Sequence, residues 1–253
     1  MSGVEPGTPC WADLATPDLA EARHFYRQLF GWTDRVSPQT EAGGYTTFLL
    51  DGRAVAGAGP PAAADQAPVW STYVATDDAD LAATRVEAAG GRVLVAPFDV
   101  FDQGRMGVFA DPAGATFSVW QPMAMRGAEV FNVPGSISWN ELVTPDPEGA
   151  RRFYELVFGW HPADERTWPV ADTGWRCGAR IVAGMTSPRE ELPVDGHAYW
   201  SVFFAVADAD AAAARAVERG GTIVVPPRAS PQGRLAALRD PRGALFGVIA
   251  LAA

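Results

Sequence analysis

The sequence predicts an α+β protein of two tandem domains, each made of two βαβββ modules, and two observations carry that prediction. First, the stretch CWADLATPDLAEARHFYRQLFGW, Cys10 to Trp32, returns as SWNELVTPDPEGARRFYELVFGW, Ser138 to Trp160. The correspondence runs on: FLLDGRAVAG from Phe48 matches WRCGARIVAG from Trp175, WSTYVATDDAD from Trp70 matches WSVFFAVADAD from Trp200, and QGRMGVFADPAGATFSV from Gln103 matches QGRLAALRDPRGALFGV from Gln232. A spacing of about 128 residues, from Trp11 to Trp139, is far longer than a solenoid unit and marks two homologous domains. Second, a strand that leads into a capped helix, followed by further extended segments, occurs twice within each repeat.

The opening strand, Cys10 to Ala15, leads through Thr16-Pro17-Asp18 into a helix that Asp18 can cap, with Glu21 three residues on. Ala22, Phe25, Tyr26 and Leu29 line one face of that helix, and Gly31 ends it. Three extended segments and a Pro/Ala-rich spacer, GPPAAADQAP, follow. A second strand, Trp70 to Thr76, leads into an Ala-rich helix, roughly Asp78 to Ala89, that stops at Gly90-Gly91. The last two strands are joined by DPAG, a tight turn whose Pro suits type I or II geometry. In the second repeat Asp146 caps, Pro147 takes the first helical position, and Ala150, Phe153, Tyr154 and Val157 repeat the stripe. A helix over roughly Asp208 to Arg219 and a DPRG turn complete it. The expected domains are 8–122 and 135–253, with a linker at 123–134 whose Met123, Met125 and Phe131 suggest that it lies against the protein.

Composition narrows the function classes. Of 253 residues, 48% are hydrophobic and 20% charged, ample for a packed core. A net charge of -10, with no cluster of basic residues, repels phosphate backbones and anionic lipid, so neither nucleic acid nor membrane is an expected partner. All 20 basic residues are arginine, which excludes Schiff-base and Lys-base mechanisms. Cys10 and Cys177 form no CxxC pair, and MSGVEPGTPC lacks the basic and apolar regions of a signal peptide; a cytoplasmic protein is expected.

The strand, Thr-Pro-Asp and FY-bearing helix, LFGW or VFGW, the paired βαβββ plan and the DPxG turn near each repeat's end together resemble the vicinal oxygen chelate superfamily. That superfamily includes glyoxalase I, extradiol dioxygenases and the bleomycin resistance proteins. The similarity covers nearly the whole chain and is strongest to tandem glyoxalase-like proteins of actinobacteria. It implies two glyoxalase-like domains whose modules form curved half-barrel sheets, with the site on the concave face. Because single-domain relatives dimerise to complete their sites, it also implies a monomer that forms an internal pseudo-dimer, or a homodimer.

Metal-dependent relatives carry His or Glu at equivalent strand positions. Here those positions fall on Trp11 and Trp139, near Ala56 and Ala183, on Ser71 and Ser201, and on Ser118 and Gly247, none of them a good ligand for a divalent ion. His24, His161 and His197 show no HxH or HxxxH spacing. No metal and no other cofactor is expected. The GAG at Gly57 to Gly59 runs into Pro60-Pro61, which blocks the helix a dinucleotide fingerprint needs, and no GxSxG elbow is present.

Period-two alternation then assigns the concave faces. Trp11 and Asp13 face inward in the first repeat, Trp139 and Glu141 in the second. Ser71, Tyr73, Ser118 and Trp120 join the first, Ser201 and Phe203 the second, and Phe48 and Trp175 are expected as additional walls. Aromatic rings with one acid and a few hydroxyls suit a planar, apolar or aromatic small molecule. Asp13 and Glu141 are the candidate general acids or bases, the alternative being ion pairs with Arg105 or Arg234. The leading expectation is a metal-independent binding protein for sequestration, resistance or auxiliary duty in secondary metabolism. The alternatives are a cofactorless hydroxylase, cyclase or lyase on an aromatic or polyketide-like substrate and, third, glyoxalase I (lactoylglutathione-lyase-type) activity.

Overall fold

The computed structural model describes residues 4–163, 173–188, 197–230 and 232–252, and among them the predicted module order recurs throughout. The first repeat runs β1 (Pro9–Ala15), α1 (Leu19–Phe30), β2 (Thr33–Val36), β3 (Thr46–Leu50) and β4 (Arg53–Gly59). Its second module is β5 (Val69–Ala75), α2 (Ala79–Ala88), β6 (Arg92–Val100), β7 (Gly104–Ala110) and β8 (Thr116–Pro122). The second repeat supplies β9 (Ile137–Val143), α3 (Pro147–Phe158), β10 (His161–Ala163), β11 (Thr173–Cys177) and β12 (Arg180–Thr186). It ends with β13 (Tyr199–Ala205), α4 (Ala209–Glu218), β14 (Thr222–Ser230), β15 (Gly233–Arg239) and β16 (Leu245–Leu251). Each repeat forms one eight-stranded mixed sheet, ordered β2-β3-β4-β1-β5-β8-β7-β6 in the first and β10-β11-β12-β9-β13-β16-β15-β14 in the second. In every module the opening strand lies parallel to the last one (β1 to β4, β5 to β8, β9 to β12, β13 to β16), because the helix carries the chain back before the antiparallel hairpins begin.

The helix signals act as expected. The carboxylates of Asp18, Asp146, Asp78 and Asp208 each accept from a backbone N–H three residues on, at 2.9, 2.9, 2.9 and 3.0 Å. Gly31 and Gly159 close α1 and α3 in the left-handed region. Glu21 pairs with Arg242, which also binds Asp18 at 2.7 Å. No helix among the described residues is long and apolar enough to cross a membrane.

Packing divides the chain differently from the repeat. One compact unit is Met1–Cys10, Thr72–Gly127 and Trp139–Trp200; the other is Trp11–Ser71, Ala128–Ser138 and Ser201–Ala253. Each therefore combines the first module of one repeat with the second module of the other. In the unit containing α1, Tyr26 is fully buried among Phe30, Trp32, Phe48, Trp70 and Phe246. Its hydroxyl donates to Asp240 of the DPRG turn at 3.1 Å and accepts from Trp70 Nε1 at 2.8 Å. In the unit containing α3, Tyr154 is buried among Phe117, Phe158, Trp160, Trp175 and Trp200. Tyr154 donates to Asp111 of the DPAG turn at 3.2 Å and accepts from Trp200 Nε1 at 2.8 Å. The FY pair of each helix thus fills a core with its Phe and Tyr rings while the Tyr hydroxyl stays hydrogen-bonded, as a buried polar group must.

These cores correct the expected facing of Phe48 and Trp175. Phe48 pairs across the hairpin with Ala56, and Trp175 with Ala183, whereas Thr47 and Gly174 are the residues in register with Gly57 and Gly184. Residues directly opposite one another share a face of a sheet, so Phe48 and Trp175 lie on the helix side, against Tyr26 and Tyr154, and do not wall the opposite face. Next to Ala56 and Ala183, Gly57 and Gly184 pair with Asp13 and Glu141.

Candidate functional site

On β1 the alternation places Cys10, Ala12 and Leu14 toward the helices and leaves Trp11 and Asp13 together on the opposite face. Their side chains meet there: Trp11 Nε1 donates to Asp13 Oδ1 at 2.8 Å. A third residue, absent from the sequence expectation, joins the group. The Tyr45 hydroxyl donates to the same Oδ1 at 2.6 Å and lies 3.3 Å from Trp11 Nε1. Tyr45 stands just before β3 with both backbone groups fixed, its N–H donating to Ala42 O at 3.0 Å and its O accepting from Ser37 N at 2.7 Å. Its ring fits because β4 offers only glycine beneath it: a Cβ on Gly57 would collide with both the Tyr45 hydroxyl and Asp13 Oδ1, and one on Gly59 would stand 3.3 Å from the ring. The sequence signal that could have found Tyr45 was therefore the GAG of β4, since glycine inside a strand often marks a close approach. Trp11 is only 3% exposed, while Asp13 and Tyr45 are half-buried. This face thus presents a carboxylate and a phenol, with the indole behind them.

The second repeat keeps the first part of this arrangement with the exposures reversed. Trp139 Nε1 donates to Glu141 Oε2 at 2.8 Å, but Glu141 is 2% exposed and Trp139 half-buried. There the ring is offered and the acid is held behind it. The sequence places Asp172 where Tyr45 stands in the first repeat; Asp172 lies outside the described residues.

The other expected residues lie on β5, β8 and β13. Tyr73 pairs with Ser118 and Ala75 with Trp120 across β5 and β8, so Tyr73, Ser118 and Trp120 share a face, with the Tyr73 hydroxyl 3.9 Å from Met106 Sδ. All three are buried, and Trp120 donates from Nε1 to Met125 O at 2.9 Å, so the linker caps it. Phe203 pairs with Gly247, and its ring occupies the space a Cβ there would need. Ser201, two residues before Phe203, is buried, and Ser71 is half-buried.

The arginines go elsewhere. Arg105 binds Asp80 in the first turn of α2 at 2.9 Å and Asp99 at 2.9 Å, and Arg234 binds Asp210 in the first turn of α4 at 2.9 Å. Those contacts hold the Asp80 and Asp210 carboxyls below the ordinary range. The alternative that Arg105 or Arg234 neutralises Asp13 or Glu141 is therefore not what the structure shows.

Trp11, Trp139, Ala56, Ala183, Ser71, Ser201, Ser118 and Gly247, the residues at or near the expected ligand positions, do not make a donor set for a divalent ion. Among the described residues no three His, Cys, Asp or Glu side chains come together in a way that could hold one. Of the expected residues, Asp13 in the first repeat and the Trp139 indole in the second are half-buried, whereas Trp11, Glu141, Tyr73, Ser118, Trp120, Ser201 and Phe203 are buried.

Comparison with known proteins agrees with this geometry in outline. The family profile described as Glyoxalase/Bleomycin resistance protein/Dioxygenase superfamily matches residues 10–119 and again 136–248. The chain is 46% identical to the anthracycline biosynthesis protein DnrV of Streptomyces peucetius, across 99% of this chain and 96% of that one. It is 45% identical to the anthracycline biosynthesis protein DauV of Streptomyces sp. strain C5, with the same coverage. Among solved structures, the Mn(II)-bound glyoxalase from Novosphingobium aromaticivorans superposes with a TM-score of 0.65 at 19% identity, covering 99% of this chain and 83% of that one, a likeness of fold.

Proposed function

Because this chain belongs to the Glyoxalase/Bleomycin resistance protein/Dioxygenase superfamily, its helix-free sheet faces are where a ligand is to be sought, and we propose that it binds a planar aromatic small molecule there without a metal, serving secondary metabolism as a binding or auxiliary protein. The observation that carries this reading is the duplicated indole–carboxylate pair, Trp11 with Asp13 and Trp139 with Glu141, with an indole in each repeat at the place expected for the first chelating residue. A ring stacks on indole, and a carboxylate accepts from a hydroxyl at its edge. The likeness to two anthracycline biosynthesis proteins over nearly the full chain supports a polycyclic aromatic as the ligand class.

The test is calorimetric titration of metal-stripped protein with a soluble anthraquinone sulfonate. Binding that survives chelation and weakens by about tenfold in Trp139→Ala is the expected result. Binding that returns only with added zinc, nickel or manganese, together with turnover of a methylglyoxal–thiol adduct, would refute it.

A second reading is favoured by one observation, the half-buried Asp13–Tyr45 pair at 2.6 Å, which has the form of an acid–base couple. On that reading the chain is a cofactorless enzyme acting on an aromatic substrate. Asp13→Asn separates the two: a binding protein keeps most of its affinity, whereas an enzyme loses turnover.

A further inference from the structure

The last three strands of the first repeat hold an apolar patch that the indole–carboxylate pairs do not account for. Val95 on β6 stands opposite Val108 on β7, and Phe98 opposite Met106; β8 continues the two rows with Ser118 and Trp120. Residues directly opposite share a face, and the other face of these strands is taken by Phe109, Phe117 and Val119, packed in the core with Ala82 and Val86 of α2. Val95 is 38% exposed and Phe98 44%, while Met106 and Val108 are half-buried. All four belong to the unit that contains α3. The second repeat has the same register, with Val225 opposite Ala237 and Arg228 opposite Leu235, but there Val225, Leu235 and Ala237 are buried. Rows that are closed in one repeat and open in the other are not something the fold itself requires.

Three features choose the occupant. First, β6 is an edge strand, but Pro97 lacks an N–H and the pairing shifts at Val93/Val95 and at Val95/Phe98, which blunts the edge against a peptide or a second copy adding a strand. Second, the exposed parts of the four side chains come to on the order of 300 Å², against about 800 Å² per partner in a stable protein interface. Third, neither row carries a charge: Asp99 and Arg105, which follow Phe98 and precede Met106, bind each other at 2.9 Å, and Arg105 also binds Asp80 of α2. A thioether opposite a phenyl ring adapts readily to a flat apolar guest. We infer that Val95, Phe98, Met106 and Val108 form a binding face for one uncharged, planar, apolar molecule. The inference goes beyond the function proposed above and uses none of its residues, since Trp139 belongs to the other sheet.

The experiment titrates wild type, Phe98→Arg, Met106→Gln and Trp139→Ala with Nile red, an uncharged planar dye, following its fluorescence and recording the urea midpoint of each protein. Phe98→Arg places there the residue that the second repeat has at Arg228. Wild type is expected to bind one dye per chain, Phe98→Arg and Met106→Gln to bind it about tenfold more weakly at unchanged midpoints, and Trp139→Ala to bind it as wild type does. A wild type that does not bind the dye saturably, a Phe98→Arg variant that binds it equally well, or binding lost in Trp139→Ala overturns the inference. A wild-type dimer in sedimentation velocity that Phe98→Arg dissociates also overturns it, because a second copy then covers the face. Anthraquinone sulfonate titrated in parallel is expected to respond to Trp139→Ala and not to Phe98→Arg. Its failure to bind, with the dye behaving as expected, removes the function proposed above and leaves this face standing.

Discussion

Glycine shows how one residue type answers to backbone conformation at one position and to close neighbours at another. Gly31 and Gly159 end α1 and α3 at φ of 75° and 69°, and a Cβ at either would meet nothing within 4 Å. Only backbone strain opposes a side chain there, so Gly31→Ala should cost about 1 kcal/mol in urea unfolding and leave ligand binding unchanged. At Gly57 the neighbours decide instead. The atoms in the way are the side-chain ends of Tyr45 and Asp13, so Gly57→Ala is expected to cost no more stability in urea unfolding than Gly31→Ala. A stability loss at Gly57 exceeding that at Gly31 would show that the phenol and carboxylate cannot yield. Trp11 and Trp139 make a similar contrast, since the same hydrogen bond to an acid two residues on leaves one indole buried and the other half-exposed.

At the scale of elements, the central strands hold a polar pair in one unit and apolar residues at the corresponding positions. Thr72 on β5 donates from Oγ1 to Asn140 Oδ1 on β9 at 2.8 Å, and both side chains are buried. The repeat puts Val202 where Thr72 stands and Ala12 where Asn140 stands. A first module joined to the wrong second module would face Thr72 or Asn140 with an apolar residue and strand a buried polar group. Asn140→Ala alone should therefore destabilise by roughly 1–3 kcal/mol, because the Thr72 hydroxyl loses its partner. The double variant Thr72→Val with Asn140→Ala, which copies the residues of the other unit, should recover most of that loss. A double-mutant cycle with no coupling between the two sites would show that this hydrogen bond contributes nothing specific.

At the scale of the whole molecule, the two DPxG aspartates set a pH dependence. Burial raises the carboxyls of Asp111 and Asp240 above the ordinary aspartate value, opposed by hydrogen bonds from the turn backbone and from Tyr154 and Tyr26. The folded state thus holds these protons more tightly than the unfolded chain does. Their contribution to stability is fully present below the unfolded value of about 3.9 and is lost as the pH rises through the higher folded value. In urea unfolding across that window, Asp111→Asn and Asp240→Asn should gain on wild type as the pH is raised, and wild-type and variant profiles that stay parallel would contradict this. The repeat, the module order and the helix caps could all be read from the sequence, because each depends on residues close together in the chain: Asp18 and Asp146 cap their own helices, and alternation along β1, β5 and β8 places Trp11, Asp13, Tyr73 and Ser118 without knowledge of any neighbour. The facing of Phe48 and Trp175 could not be read that way. It depends on the hairpin register of β3 with β4 and β11 with β12, which shifts at Phe48/Leu49 and at Trp175/Arg176. Tyr45 was hidden for the same kind of reason, since its bond to Asp13 joins residues far apart in the chain, and so was the destination of Arg105 and Arg234 at the first turns of α2 and α4. Local patterns fix the elements, and the faces of strands without a register shift, while register and through-space contacts, which choose among chemically equivalent partners, exist only once the chain has packed.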